Sequence, residues 1–442
     1  MSIKNCNVAG TFYPAERQEL FDMIDEFYAK TENSSGYYSR AIIVPHAGYI
    51  FSGGLAVNGY RYLNPESETV FVFAPSHYIR LFGCVSCDYD EFETPIGNCA
   101  VNKDYAKEFE INNFAFEKEH SIEVQLPLIK YFFKDAKIVP VLYGCTDYKV
   151  ITEILEKYRD SKNISFVIST DLSHFYPERD CNKIDRYSAE LIESGNIKNF
   201  EAEQACGAVG VCGLVNFANN NRFSLIRVGL TNSAAKTGDS SRVVGYGSWF
   251  LYEGEKNSYI KKYFTDFVID TCKKSIMSGF RIGDLNSKEY PCVFEQSGAS
   301  FVTLEINGHL RGCIGSIIAH KPLIDDLILN AHSSAFKDPR FLPLTQQEFE
   351  HTDISVSLLS SPEKIDFDGE EDLLSKIKPF EDGIIIRDGN YQAVYLPVVW
   401  EQLSDKREFL NSLKVKAGLS ADYFSDTLQA FRFNAVKIEA SD

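Results

Sequence analysis

The first half of the chain alternates short apolar runs with longer amphipathic segments, and this alternation restricts the fold more than any other feature. Four runs rich in β-branched and aromatic residues predict strands. They cover residues 41–44, 69–74, 137–144 and 164–170. Residues 123–133 and 149–159 have helical spacing. This order predicts an α/β fold around a mainly parallel sheet flanked by helices.

The length of the chain predicts more than one domain, because 442 residues exceed what one hydrophobic core usually organises. A strand-like run at 243–252 leads into a polar, charged stretch, and a new helical period opens at residue 263. We therefore predict a boundary near residue 256, with domains at 1–255 and 256–442.

Composition excludes several classes of protein. No run approaches the roughly 18 apolar residues of a membrane helix, and the start lacks the apolar core of a signal peptide. We therefore expect a cytoplasmic protein that does not bind membranes. The net charge of −17 opposes nucleic-acid binding, because the phosphate backbone would be repelled. Eleven cysteines without a signal peptide indicate reduced thiols.

Histidines stand where predicted strands end. His46 follows the first strand, His77 follows the second, and Asp171 and His174 follow the fourth. Parallel sheets bind ligands outside the carboxyl ends of their strands, so we expect these side chains at one edge. A single such histidine is most simply structural, but several together favour a shared site for a divalent transition metal.

His120 has two interpretations. It opens the helical segment in KEHSIEVQLP, with Ser121 and Glu123 close behind. It either joins the histidines at the sheet edge or serves only as a helix-entry residue.

A series of motifs in the first half resembles one family. In chain order the motifs are VAGTFYP, VPHAGYIFSG, APSHY, TPIGN, EHSIEVQLP, PVLYG, STDLSHF, ACGA and TGDSSRVVGYGS. Together they span nearly all of residues 8–250 and resemble the Memo family. The resemblance implies a fold similar to class III extradiol dioxygenases, which are non-haem iron enzymes, and a divalent transition metal: iron, zinc or copper.

The Memo resemblance also implies a set of site residues. It places His46, His77 and His174 around a pocket, with Asp171 and Cys206 nearby. Some relatives carry a further pocket cysteine in the segment aligned with residues 232–241, where this chain has none. The third metal ligand therefore stays open between Asp239, Cys206 and His174.

The second half resembles another family. Its motifs are LRGCIGS, NAHSSAFKDPRFLPLT, ISVSLLS, GIIIRDG, YLPVVWEQLSDKREFLNSLKVKAGL and FNAVKIEA. They cover about residues 260–440 and resemble the AMMECR family, which implies a separate C-terminal domain of the α/β or α+β type. Many relatives have a cysteine where Lys414 or Val415 stands here. The family relationship supplies no reaction.

The combination of the two resemblances implies a partner. Memo, AMMECR and radical-SAM proteins commonly occur together in prokaryotes as the AmmeMemoRadiSam set. We therefore expect a radical-SAM protein as partner and a small molecule or peptide as substrate. Radical-SAM clusters are oxygen-sensitive, so oxygenase activity is not inferred from the fold.

Cys313 is the candidate catalytic residue of the second half. It lies between two glycines in RGCIG and beside Arg311, whose charge would favour a thiolate. His332 is a candidate base. The alternatives are a small buried hydrophobic residue for Cys313 and an exposed helix face for His332.

Three classes of function follow. In the first, the protein is a metal-dependent enzyme in which His174 acts as acid or base and Asp171 orients it. In the second, the same pocket binds a peptide or small ligand without catalysis. In the third, the chain is an accessory that presents or processes the substrate of a radical-SAM enzyme.

Overall fold

The computed structural model describes residues 2–280 and 290–440. The chain forms two compact units, Met1–Lys256 and Asn257–Asp442. Across the described residues, no helix combines the length and the apolar character that a membrane span requires.

The first unit contains short and long strands interspersed with helices. The strands are β1 (Ile3–Lys4), β2 (Ala41–Val44), β3 (Thr69–Pro75), β4 (Cys84–Ser86), β5 (Glu91–Phe92), β6 (Cys99–Ala100), β7 (Glu110–Ile111), β8 (Lys137–Tyr143), β9 (Ile164–Ser169), β10 (His174–Tyr176), β11 (Ser224–Asn232) and β12 (Val243–Tyr252). The helices are α1 (Arg17–Ala29), α2 (Tyr49–Tyr60), α3 (Lys103–Ala106), α4 (Asn113–Phe116), α5 (Leu126–Phe132), α6 (Lys149–Lys157), α7 (Glu178–Ser194), α8 (Ala208–Asn221) and α9 (Ala234–Thr237).

A nine-stranded sheet forms the centre of this unit, in the order β10-β12-β2-β9-β3-β8-β4-β7, with β11 also paired to β12. The four strands β2, β9, β3 and β8 are parallel. Strand β12 is antiparallel to β2, β10 and β11, and β4 is antiparallel to β8. The α/β class is confirmed, but the sheet is mixed, because only its centre and the β4–β7 edge pair are parallel.

The burial of the central strands explains their sequence. Every residue of β2, β3 and β9 is buried, so these strands are continuous apolar runs rather than alternating ones. Because the three strands run in the same direction, the segments that follow them meet at one edge. Helix α2 packs closely beneath this edge: a Cβ atom on Gly59 would lie 2.6 Å from Cγ1 of Val44.

The helical segment predicted at 123–133 is a composite. Residues Glu123–Gln125 form a 3₁₀ turn, and α5 begins directly after it, with Pro127 in its first turn. Proline is well suited to the first helical positions, because its missing N–H would have no intrahelical partner there.

The second unit contains two antiparallel four-stranded sheets. Its elements are α10 (Lys256–Gly279), β13 (Ala299–Ile306), β14 (His309–Gly315), α11 (Leu323–Phe336), α12 (Gln346–Phe349), β15 (Thr352–Leu359), β16 (Glu363–Ile365), α13 (Glu370–Lys376), β17 (Gly383–Asp388), β18 (Tyr391–Tyr395), α14 (Lys406–Lys416), β19 (Gln429–Phe433) and β20 (Ala435–Glu439). The sheet orders are β14-β13-β15-β20 and β16-β19-β17-β18. Antiparallel pairing throughout the two sheets agrees with the α+β alternative.

The core of the second unit includes a close aromatic pair. The rings of Trp400 and Phe409 are parallel, with their centroids 3.7 Å apart, and both side chains are fully buried. The indole N–H of Trp400 donates to the carbonyl oxygen of Asp382, so its one polar group is satisfied.

Candidate metal centre

Three histidines converge at the carboxyl edge of the large sheet. The nitrogen atoms that His46, His77 and His120 can offer as ligands lie within 4.8 Å of one another, and no second such group occurs among the residues described. The ring centroids are 4.8 Å apart for His77 and His120, and 5.3 and 5.5 Å from His46 to each of these.

Strand β9 holds His46 in place. The backbone N–H of His46 donates to Oδ1 of Asp171 at 2.9 Å, and its ring Nδ1 lies 2.9 Å from Oγ of Ser169. Both partners stand at or just beyond the end of β9. The strand that neighbours β2 therefore fixes both the backbone and the ring of the histidine that follows β2.

The hydrogen bonds of Ser169 determine the tautomer of His46. The Ser169 hydroxyl donates to the carbonyl oxygen of Ser121 at 2.7 Å and accepts from Nε2 of Gln125 at 2.9 Å. A hydroxyl has a single proton, so Nδ1 of His46 must be the donor in its contact with Ser169. The lone pair of His46 Nε2 is consequently available to a metal.

A carboxylate fixes His77 in the same way. Nδ1 of His77 lies 2.9 Å from Oε1 of Glu119, and the backbone N–H donates to Oε2 at 2.6 Å. Burial would raise the pKa of Glu119, but hydrogen bonds from His77 and Ser121 lower it to about 2. An ionised carboxylate only accepts, so Nδ1 of His77 donates and Nε2 is left for a metal.

His120 adds a ring nitrogen without a partner. Its Nδ1 is buried and has no hydrogen bond in the described part of the chain, although Oε1 of Glu119 is 3.4 Å away. The Phe12 ring packs against the His120 ring, at 4.9 Å between centroids. Burial lowers the pKa of both His46 and His120, and the other histidines lower that of His46 further. Neutral imidazole is the form that metals bind, so the group fits a divalent transition metal.

Cys206 borders the group. Its Sγ lies 3.3 Å from Nε2 of His46 and accepts from the backbone N–H of Asp171 at 3.3 Å. Burial, reinforced by the nearby Asp171, raises the pKa of this thiol to about 12. The following residue, Gly207, permits the approach, because a Cβ there would lie 2.6 Å from Cβ of Thr170.

The other predicted site residues lie outside the three-histidine group. His174 is half-buried on β10, opposite Val244, and the hydrogen bond to the Asp171 carboxylate comes from the His46 backbone rather than from His174. Asp239 is exposed and accepts from the backbone N–H of Ser241 at 2.9 Å. The structure thus brings His120 beside His46 and His77. The sequence had left the third metal ligand open between Asp239, Cys206 and His174.

The sequence analysis also missed Glu119 and Ser169. A carboxylate or hydroxyl often accepts from the second ring nitrogen of a metal-binding histidine, but which residue does so depends on which ring it faces in three dimensions. The signal present in the sequence was the adjacency of Glu119 and His120 in the KEHSIEVQLP motif.

Cys313 lies in the second unit, on β14, and the neighbouring Arg311 is paired with another residue. The guanidinium of Arg311 is paired with Glu348, at 3.1 and 3.2 Å, so that carboxylate neutralises its charge. Arg340 instead reaches Cys313, donating from Nη2 to its carbonyl oxygen at 3.3 Å. His332, the candidate base, lies half-buried on α11 with its ring against Phe336.

The first unit is an α/β fold with three histidines at the carboxyl edge of its mixed sheet, and this combination makes it a candidate metalloprotein. Residues 4–250 match the family model of the Memo-like proteins, and residues 269–438 match that of AMMECR1. The chain therefore belongs to the Memo family, and it joins a Memo region to an AMMECR1 region.

Individual relatives agree with this membership. A MEMO1 family protein of Archaeoglobus fulgidus is 29% identical over 263 residues, covering 55% of this chain and 97% of the relative. One from Aquifex aeolicus is 31% identical over 269 residues, covering 57% and 100%. A protein of Methanothermobacter thermautotrophicus is 42% identical over 149 residues, covering 33% and 78%.

Among solved structures, an uncharacterised protein from Pyrococcus horikoshii is 31% identical. The match covers 39% of this chain and 89% of that one. Its TM-score of 0.37 is too low to establish a shared fold.

Proposed function

We propose that the first unit is a metal-dependent enzyme whose divalent transition metal is held by His46, His77 and His120. The observation that carries the proposal is the convergence of these three imidazoles, two of which have their second ring nitrogen committed to Ser169 or Glu119. Iron, zinc and copper all accept imidazole ligands, and the choice between them is left to measurement.

Three protein ligands are typical of catalytic rather than structural metal sites, because they leave coordination positions open. A metal bound there would polarise a substrate oxygen or lower the pKa of a water molecule. Ser169 and Glu119 would keep two rings aimed at one point and fixed in one tautomer. Burial would keep His46 unprotonated at neutral pH.

His174 is the proposed acid or base beside this centre, and Asp171 is the nearby carboxylate proposed to orient it. His174 is half-buried, which leaves it accessible to a substrate, and it is close enough for its charge to lower the pKa of both His46 and Asp171. Burial raises the pKa of Asp171, while its contact with the His46 backbone opposes the shift. Histidine is the side chain that most often serves as a general acid or base in enzymes.

The substrate and the partner rest on the family resemblance. The fusion of Memo and AMMECR regions supports a function beside a radical-SAM protein, in the cytoplasm, on a small molecule or peptide. The position of the histidines at the carboxyl edge of the sheet is compatible with the fold relationship to class III extradiol dioxygenases.

Metal analysis tests the proposal. Protein purified anaerobically should contain close to one iron, zinc or copper per chain by elemental analysis. The double variant His46→Ala/His77→Ala should lose this metal and stay folded, whereas His309→Ala/His351→Ala, which changes two exposed histidines, should retain it. A wild-type protein that binds no metal even after reconstitution would favour the non-catalytic binding module.

A further inference from the structure

The second unit contains a cavity of about 390 Å³ that opens between strands β13, β14 and β18 and the loops beside them. Its volume lies within the range of about 300–1,000 Å³ that is usual for small-molecule sites. Apolar side chains form most of the wall, including Phe301, Ile314, Val394, Leu396 and Val399. Besides Tyr395, the residues with polar side chains in the lining are Cys313, Asp338, Arg340 and Lys416.

The carboxylate of Asp338, the one negative charge in this lining, is paired with Arg340. The buried carboxylate of Asp338 accepts from Nε of Arg340 at 2.9 Å and from Nη2 at 2.7 Å. It also accepts from the backbone N–H of Cys313 at 2.9 Å. These contacts, led by the hydrogen bonds from Arg340, hold the pKa of Asp338 far below its usual range. Asp338 therefore acts as a fixed counter-charge that orients Arg340.

Arg340 and Lys416 each have N–H groups that are not used in hydrogen bonds to the described residues. The hydrogen bonds of Arg340 involve Nε and Nη2, and within the described ranges no protein acceptor meets its Nη1. Nζ of Lys416 donates to the carbonyl oxygen of Val394 at 3.0 Å and lies 4.7 Å from the centre of the Tyr395 ring. Its other N–H groups have no acceptor among the residues described. Two cations thus face the cavity against one paired carboxylate, in a chain whose net charge is −17.

We propose that this cavity binds a small organic anion whose carboxylate or phosphate head contacts Arg340 and Lys416 and whose apolar body lies against Phe301, Ile314 and Val399. The planar guanidinium suits a carboxylate or phosphate, and the lysine adds a point charge. This site is separate from the metal centre and does not depend on it.

The bound head group lies beside the Cys313 thiol. Cys313 lines the cavity, and its Sγ accepts a hydrogen bond from the Thr303 hydroxyl on the paired strand at 3.3 Å. The rate at which the Cys313 thiol reacts with charged and uncharged reagents can therefore report on the entry of anions into the cavity.

Alkylation of the native full chain tests the proposal. Iodoacetate and iodoacetamide transfer the same methylene carbon to a thiolate and release iodide, but only iodoacetate is an anion. Peptide mass spectrometry gives the ratio of the two rates at Cys313, and the exposed Cys145 of the first unit provides the reference ratio. We expect the iodoacetate preference at Cys313 to exceed that at Cys145 by about 3- to 10-fold.

Variants locate the effect. Lys416→Met should remove most of the preference, and Lys437→Met, which removes an exposed lysine on β20, should not change it. Lys416→Gln provides a second variant should the methionine alter folding, and matched thermal unfolding of each variant checks this. Equal ratios at Cys313 and Cys145, or a preference that survives Lys416→Met in a folded protein, would overturn the proposal.

A measurement that does not involve the thiol covers the case in which Cys313 is unreactive. The sulfonate probe 1-anilinonaphthalene-8-sulfonate should bind the wild-type protein more tightly than it binds Lys416→Met, as judged by its fluorescence. Its uncharged analogue N-phenyl-1-naphthylamine should bind the two proteins equally. Equal binding of the sulfonate to both proteins would refute anion recognition at this cavity.

Discussion

At the scale of single residues, His120 and His174 are alternative candidates for the third metal ligand beside His46 and His77. Only His120 lies in the group with His46 and His77, whereas His174 stands on β10 at its margin. We therefore expect His120→Ala to lose most of its bound metal and His174→Ala to keep it, because only the first variant removes a ligand. Elemental analysis of both variants after anaerobic dialysis provides the comparison. The reverse result would return His174 to the ligand set.

Glu119 should tune metal affinity without binding the metal. Its carboxylate accepts from Nδ1 of His77 and thereby makes the opposite nitrogen more basic. Glu119→Gln keeps the shape but removes the charge, so metal affinity should fall by about 10- to 100-fold. Competition with a chromophoric chelator measures the change, with Glu153→Gln, an exposed site on α6, as the matched control. Equal affinities for the two variants would assign Glu119 a purely structural role.

The buried histidines also make stability depend on pH. The pKa of His46 is lowered by burial, so between that pKa and the unfolded value of about 6.5 only the unfolded chain binds the proton. The unfolding free energy of the metal-free protein should consequently fall as the pH decreases through 6.5 and be fully recovered above it. Urea unfolding at about pH 7.5 and pH 5.5 tests the direction. A higher midpoint at the lower pH would contradict the burial of a neutral His46.

At the scale of elements, the side chain of Glu123 helps to tie the N-terminal segment to the region of the metal centre. Glu123, in the 3₁₀ turn before α5, accepts from the backbone N–H groups of Asn7 and Val8 at 2.8 Å and from the Tyr13 hydroxyl at 2.9 Å. The same segment carries Phe12, whose ring covers His120. The same turn contacts His120, because the backbone N–H of Val124 donates to the carbonyl oxygen of His120 at 2.9 Å.

Removing this anchor should loosen the segment. Glu123→Ala leaves the buried Tyr13 hydroxyl and the partly buried backbone N–H groups of Asn7 and Val8 without this acceptor. Loss of the acceptor for the buried hydroxyl costs about 1–3 kcal/mol of unfolding free energy. Hydrogen exchange should accelerate at the backbone of Asn7 and Val8 and much less in strand β9. Uniform acceleration throughout the first unit would instead indicate a general loss of packing, and unchanged exchange would show that the anchor is dispensable.

The sequence could predict the site residues that directly follow strands, namely His46 and His77. Apolar runs marked where β2, β3 and β9 end, and strand direction then brought His46 and His77 to one edge. His120 and Glu119 were not predictable in the same way, because they lie on a loop between α4 and the 3₁₀ turn. Periodicity does not describe the path of a loop, and hydrogen bonds such as those of Ser169 and Glu119 become visible only in three dimensions. The antiparallel side of the sheet was missed for a related reason, since a buried antiparallel strand such as β12 is as apolar as a parallel one.

At the scale of the whole molecule, each compact unit should fold without the other. Each has its own sheets and its own buried residues. Residues 1–255 and 256–442, a division that keeps α10 intact, should each give a product that unfolds cooperatively in urea. Circular dichroism of the separate fragments, added together, should reproduce the spectrum of the full chain. Aggregation of one fragment that is relieved by adding the other would show instead that the units depend on each other.

The pairing of β12 with β2 has a consequence for synthesis on the ribosome. Strand β2 ends at Val44, whereas its neighbour β12 begins only at Val243. During translation, one side of β2 therefore has no strand to pair with until almost the whole first unit has been made, and such an open strand edge invites pairing with other chains. The nascent chain would need protection by a chaperone over this interval, and the first unit becomes complete only as the second begins to be synthesised.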